Sequence, residues 1–175
     1  MNKFYVIGLS AGLISMACTH ALAQSGGIEQ VKQYEKLREQ QAGDTKFADL
    51  FAEIQKNPRN PQTHLALAQT YLAKDLLELA QESFRRVLKL DSKLAVAHFG
   101  LSKVYRKKKI KKLEVLELEM AVTKAPRNDQ YLYELGVVYM EPATFDYKKA
   151  KKQYKALKKM ESPLASKLAQ LLEIE

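Results

Sequence analysis

Two histidines are the first candidates for chemistry in this sequence, because an imidazole side chain can bind a metal ion or transfer a proton. His64 and His98 are 34 residues apart, and each lies in an apolar segment. Zinc sites use three or four protein ligands, but the matching position one interval later is Leu132. We therefore expect no metal site, and we expect both histidines to be partly buried residues of packed helices.

The sequence contains no recognisable set of catalytic residues. It has no Gly-rich phosphate loop and no nucleophile elbow, and its single cysteine, Cys18, lies within an apolar N-terminal segment. The acidic residues are scattered over positions that we expect to face solvent. These features predict a protein that is not an enzyme and that needs no cofactor.

Lysine is the other chemically distinctive residue. The chain has 29 Lys+Arg against 20 Asp+Glu, for a formal net charge of +9. Two lysine clusters form a basic patch that is either solvated or docks on an acidic protein surface or anionic headgroups. The lysines that define this patch are Lys107, Lys108, Lys109, Lys148, Lys149, Lys151, Lys152 and Lys155.

Residues 1–23 have the features of a signal peptide. Lys3 supplies a positive charge, residues 4–17 are apolar and uncharged, and Ala21-Leu22-Ala23 has the small-x-small pattern of a cleavage site. We expect cleavage after Ala23, export to the periplasm, and a mature net charge of +8 (9 − 1, through the loss of Lys3). Lipid attachment at Cys18 is the alternative. Export makes nucleic acid an unfavourable partner.

Three segments repeat one pattern with a period of 34 residues. They are THLALAQTYL at 63–72, AHFGLSKVYR at 97–106 and YLYELGVVYM at 131–140. The shared leucine, small residue and tyrosine are Leu67, Ala68 and Tyr71, then Leu101, Ser102 and Tyr105, then Leu135, Gly136 and Tyr139. Each copy reads as a helix, a short turn and a second helix, with a two-residue insertion near Glu141-Pro142 in the third.

The pattern resembles the tetratricopeptide repeat (TPR), in which a Leu-small pair is followed by Tyr, Ala, an aromatic residue, Ala and a late Pro. The resemblance implies an all-α superhelix, a TPR solenoid of three helix-turn-helix repeats. The organisation that we predict is a signal peptide at 1–23, a leader and degenerate helix pair at 24–60, repeats at 61–94, 95–128 and 129–162, and a capping helix at 163–175.

Two positions carry specific packing expectations. The small residue of each repeat, such as Gly136, should lie where the two helices of one repeat approach each other most closely. Glu114 stands where the first copy has Ala80, so the second helix of repeat two should pack less tightly. Leu164, Leu168, Leu171 and Leu172 should form the apolar stripe of the capping helix.

In this family the first helix of each repeat lines a concave groove, at positions 2, 5, 9 and 12 of the repeat. The groove residues implied by the resemblance are Leu65, Gln69, Leu72, Phe99, Lys103, Arg106, Tyr133, Val137 and Met140. Apolar side chains beside two cations favour a protein or peptide partner that presents an acidic residue next to an apolar anchor.

Two functions remain open. The resemblance implies a non-enzymatic adaptor of the bacterial cell envelope, which binds a partner peptide or domain in the groove. The alternative is a basic surface protein that docks on anionic membrane headgroups or surface polymers through its lysine-rich helix.

Overall fold

The computed structural model describes residues 45–174, and the regular structure within that range is helical. It contains eight α-helices and one short 3-10 helix, Pro142–Thr144. The α-helices are α1 Thr45–Lys56, α2 Pro61–Ala73, α3 Leu77–Leu90, α4 Ala95–Lys107, α5 Lys111–Lys124, α6 Asp129–Val138, α7 Tyr147–Lys159 and α8 Leu164–Leu171. The predicted signal peptide, Cys18 and the first helix of the predicted N-terminal pair lie outside the described residues.

Helix α1 forms where the sequence predicted the second helix of the N-terminal pair. Phe47 is buried, and its ring stacks on that of Phe51 with the centroids 6.3 Å apart. The helix ends directly before Asn57-Pro58, because the ring of a proline disfavours helical geometry in the residue that precedes it. This helix belongs to a different compact unit from α2–α8.

Helices α2 to α8 form a stack of antiparallel pairs. α2 pairs with α3, α4 with α5, and α6 with α7, while α3 packs on α4 and α5 packs on α6. The leucine, small residue and tyrosine of all three repeats are buried, as the period predicted. Because a helix pair cannot cover its own apolar face, each pair is stabilised by its neighbour. The all-α class and the three helix-turn-helix repeats are confirmed.

Local sequence explains where these helices begin. The Asn60 side chain accepts a hydrogen bond from the backbone N–H of Gln62 at 3.0 Å, and Pro61 occupies the first turn of α2. Asn128 caps α6 through the N–H of Tyr131 at 3.1 Å. Asp146 caps α7 in the same way.

The turns inside repeats one and two share a left-handed residue. Asp75 has φ 60° and Lys109 has φ 59°, and they occupy equivalent positions. The following N–H bonds back to the carbonyl of the repeat tyrosine, Leu76 to Tyr71 and Ile110 to Tyr105, each at 2.9 Å. This is a Schellman-type helix end, where glycine is the usual residue.

We therefore expect Lys109→Gly to raise the free energy of unfolding by about 0.5–1 kcal/mol, because glycine adopts positive φ without strain. Equilibrium denaturation measures this change. Lys109→Ala is the matched control, since alanine also removes the charge but keeps a Cβ atom. An equal gain from both substitutions would contradict the backbone explanation.

The third repeat departs from the first two after Tyr139. α6 has 10 residues where α2 and α4 have 13, and the 3-10 helix lies at the predicted insertion. The N–H of Asp146 donates to the carbonyl of Tyr139 at 2.8 Å, which closes the inserted loop. Met140 therefore lies in this loop rather than on α6.

Helix α8 covers the last repeat, as the sequence predicted, but one detail of the prediction is wrong. Leu168 and Leu172 are buried on α6 and α7, whereas Leu171 is 46% exposed and lies outside the apolar stripe. A Cβ added to Gly136 would lie 2.5 Å from Cδ2 of Leu168, so this glycine makes room for α8. Within 45–174, no helix has the length and apolar character that crossing a bilayer requires.

Candidate functional site

The two histidines are packing residues. His64 Nε2 lies 2.9 Å from the carbonyl oxygen of Pro58, and burial lowers the pKa of this imidazole. His98 Nδ1 lies 2.7 Å from Oε2 of Glu117. Both side chains are buried, as predicted. Among the described residues, no three His, Cys, Asp or Glu side chains are grouped so that they could hold a metal ion.

The predicted groove positions of α2 do not form a continuous apolar row. Leu65 is only 8% exposed and belongs to the core, so it is not available to a ligand. Gln69 is exposed, and Leu72 is half-buried. The Leu65 side chain is thus buried and not accessible in a groove, and burial of a leucine side chain contributes about 1.5–3 kcal/mol to stability.

The corresponding positions of α4, α6 and the loop after α6 are accessible. Phe99, Tyr133, Val137 and Met140 are half-buried, and Lys103 is exposed. The Phe99 ring lies 4.5 Å from that of Tyr131, centroid to centroid, which joins the two first helices. We call Phe99, Lys103, Tyr133, Val137 and Met140 the groove surface.

Lys103 contributes a positive charge that no carboxylate in the described chain neutralises. Its Nζ lies 4.4 Å from the centroid of the Phe99 ring, in a cation–π arrangement. No ion pair involves Lys103 within residues 45–174. An apolar ring and a free cation thus lie side by side on α4.

Arg106, which its repeat position predicts to be a second binding cation, is paired with two carboxylates of the protein itself. Its Nε lies 2.6 Å from Oε1 of Glu114, and its Nη2 lies 2.7 Å from Oε2 of Glu134. Burial would lower the pKa of the guanidinium, but the two carboxylates raise it. The charge of Arg106 is therefore balanced by the carboxylates of Glu114 and Glu134.

Glu114 is the centre of this arrangement, and the expectation that acidic residues face solvent fails here. Its side chain is 0% exposed, and Lys111 Nζ lies 3.0 Å from its second carboxylate oxygen. Lys111 also contacts Oε2 of Glu141 at 2.5 Å. We call Arg106, Lys111, Glu114, Glu134 and Glu141 the ion cluster.

The ion cluster joins repeats two and three. The pairs Arg106–Glu134 and Lys111–Glu141 cross the junction between the repeats, whereas the two pairs of Glu114 lie within repeat two. A buried carboxylate is tolerated only with charged partners, which Arg106 and Lys111 provide. The sequence signal was Glu114 in a position that is alanine in the first copy, with Lys111 and Lys112 in the turn before it.

The first lysine cluster of the basic patch is largely neutralised. Lys107 Nζ lies 2.7 Å from Oδ1 of Asp75, and Lys108 Nζ lies 3.3 Å from Oε1 of Glu78. Both acids belong to repeat one, so these pairs link the first two repeats. Lys109 is the left-handed residue of the turn. These three lysines do not form a free basic surface.

The lysines of α7 behave differently. Lys149 lies 3.3 Å from Oε1 of Glu119, and Lys151 lies over the ring of Tyr147. Lys148, Lys152 and Lys155 are exposed, and within the described range none of their side chains forms an ion pair or a hydrogen bond. The second half of the basic patch therefore carries most of its free charge.

No protein-family model matches the sequence, and a search of curated proteins also finds no match. Solved structures are similar in fold. YrrB, described as a TPR protein with an unusual peptide-binding site, has a TM-score of 0.57 and 24% identity over 62% of this chain and 56% of its own. The chain thus spans just over half the length of YrrB.

Two other solved structures resemble the chain to a similar degree. A tetratricopeptide repeat protein from Parabacteroides merdae has a TM-score of 0.62 and 20% identity, over 81% of this chain and 59% of its own. MamA has a TM-score of 0.56 and 21% identity, over 83% of this chain and 85% of its own. The described part of the chain therefore has the tetratricopeptide-repeat fold.

Proposed function

We propose that the protein is a non-enzymatic interaction module, which holds a peptide or domain of a partner protein against the groove surface. The observation that carries this proposal is the half-exposed Phe99 with the unpaired Lys103 beside it. Aromatic side chains held between neighbouring helices lose little entropy on binding and supply much contact area. YrrB, which has a similar fold, is described as having a peptide-binding site, and this supports a peptide ligand.

The charges around the groove surface define the ligand further. The ion cluster contains two cations and three carboxylates, for a formal charge of −1. An acidic ligand residue is therefore repelled near Arg106 and attracted near Lys103. The expected ligand places an apolar side chain on Phe99 and Tyr133, with a carboxylate beside Lys103.

We expect Phe99→Ala to weaken peptide binding by about 2 kcal/mol, or roughly thirtyfold in Kd, since buried aromatic contacts dominate such interfaces. Peptides selected from a displayed library on the intact protein provide the ligands, and calorimetry measures their affinity. Lys103→Ala should weaken a selected acidic peptide and leave its amide analogue unaffected.

Leu116→Ala is the matched control, because Leu116 is exposed and apolar but lies on the second helix of its repeat. Equal losses from Phe99→Ala and Leu116→Ala would contradict a binding site on the first helices. An equal effect of Lys103→Ala on the affinities for the acidic peptide and for its amide analogue would also contradict the proposal.

We further propose that the module works in the bacterial periplasm as an envelope adaptor. The apolar run over residues 4–17 and the Ala21-Leu22-Ala23 pattern support this location. Intact-mass analysis of the exported protein should give a chain that begins at Gln24 and carries no lipid. A lipid-modified chain that begins at Cys18 would contradict this expectation.

A further inference from the structure

Four lysines of α7 form an uninterrupted row that we call the lysine stripe. Lys148, Lys152, Lys155 and Lys159 follow one another at intervals of four, three and four residues, so they share one face of the helix. The buried residues Ala150, Gln153 and Leu157 define the opposite face. The stripe therefore points away from the core, and all four side chains are exposed.

The lysine stripe is electrostatically unfavourable in isolation. Like charges four residues apart repel each other, and α7 contains no acidic residue to offset them. Lys148 also lies in the first turn, where the helix dipole disfavours cations. By contrast, Lys107 and Lys108 are neutralised by Asp75 and Glu78. A polyanionic surface outside the chain would remove the repulsion.

Two exposed aromatic residues lie at the N-terminal end of the stripe. Phe145 is 63% exposed and Tyr147 is 39% exposed, although large apolar side chains are normally buried. Exposed aromatic rings beside lysines are typical of surfaces that bind at the boundary between headgroups and acyl chains. A purely solvated lysine face gives no reason for Phe145.

We propose that the lysine stripe, Phe145 and Tyr147 dock α7 on the surface of an anionic lipid bilayer. The stripe presents four charges along about 16 Å of helix, a spacing suited to many separate headgroups. Its cations are all lysines, which act as point charges, whereas recognition of defined carboxylates or nucleic acid favours the arginine fork. The phenyl ring adds the apolar contact that a soluble acidic protein would not require.

This docking surface is separate from the groove surface. The stripe lies on the second helix of repeat three, whereas Phe99 and Tyr133 lie on first helices. The protein can therefore be held on a membrane while its groove is occupied. The inference does not depend on the proposed peptide binding.

Vesicle sedimentation of the intact chain tests the proposal. Each lysine near an anionic surface contributes roughly a fivefold factor in affinity, so changing all four stripe lysines to Gln should lower partitioning into phosphatidylcholine–phosphatidylglycerol vesicles by at least about a hundredfold. Vesicles of phosphatidylcholine alone should bind neither form appreciably. Added salt should release the wild type, because it screens headgroup charges.

The matched control changes Lys89, Lys93, Lys112 and Lys124 to Gln, which removes the same charge from exposed lysines elsewhere. All variants keep the same N-terminal residues, so any membrane affinity of that segment cancels. The control should retain most of the binding. Equal losses in the two quadruple variants, or no preference for anionic vesicles, would overturn the proposal.

Phe145→Ser separates a bilayer from a soluble acidic partner. It should lower vesicle partitioning by about fivefold, because the ring no longer enters the interface, and it should leave binding to soluble polyglutamate unchanged. A variant that partitions as well as the wild type would overturn the assignment to lipid and favour an acidic protein surface.

Discussion

Replacing Arg106 with alanine should lower the free energy of unfolding by about 2–3 kcal/mol, the largest loss expected for any single charge in the described chain. The substitution leaves Glu114 fully buried with Lys111 as its remaining cation. We place the loss at the low end for a broken buried pair, because the Arg106 side chain is 37% exposed and solvent screens part of the interaction. Urea denaturation of the single variant measures it.

The decisive control is the double variant Arg106→Ala with Glu114→Ala. Alanine occupies the equivalent positions Ala80 and Ala150 and is buried in both, so the fold accepts it there. Removing the carboxylate removes the unpaired charge, and the double variant should be more stable than Arg106→Ala alone. Lys103→Ala, on the same helix but without an ion pair, should change stability by less than about 0.5 kcal/mol. A double variant no more stable than Arg106→Ala would contradict this explanation.

Gly136→Leu should cost about 3 kcal/mol or more, because the new side chain occupies the volume of Leu168, which is fully buried. The expected response is separation of α8 from α6, since α8 is an eight-residue helix at the end of the stack. Thermal denaturation gives the loss. Hydrogen exchange should show faster exchange in α8 than in α6 and α7.

A second substitution identifies the obstructing residue. Leu168→Ala in the Gly136→Leu background should recover part of the lost stability, because it vacates the space that the new leucine needs. Leu157→Ala on α7 is the matched control and should only destabilise further. Recovery by the α7 substitution instead would show that Gly136 faces its own partner helix, as the sequence first indicated.

Most of the fold follows from the sequence because the 34-residue period reports local packing. Leu101, Ser102 and Tyr105 are buried like their counterparts, because each repeat forms the same contacts between its helices. Capping by Asn60 and Asn128 is likewise a local property. The period does not predict which helix packs against Gly136, because a small residue indicates that a neighbour comes close but not which helix that neighbour belongs to.

The candidate site was predictable only in part. Phe99 and Lys103 lie on an accessible face, as their repeat positions indicated. The repeat positions that line the groove in this family did not predict that Leu65 is buried or that Arg106 is ion-paired. A repeat position indicates only which face of the helix a residue occupies. A long Arg side chain can reach carboxylates on a neighbouring repeat, and these carboxylates determine whether its charge is free to bind a ligand. Glu114 was noted as a departure from the pattern, but its partners became evident only from the contacts between repeats.

The ion pairs between repeats also determine the order in which the repeats can stack. If repeat two followed a copy of itself, Lys107 would meet the equivalent of Asp75, which is Lys109. Arg106 would face Gly100 in place of Glu134. Repeat proteins characteristically misfold when equivalent units swap places or pair with the wrong neighbour. In this chain such an exchange brings like charges together at one contact and leaves another without its carboxylate, so units that are similar in shape are not interchangeable in charge.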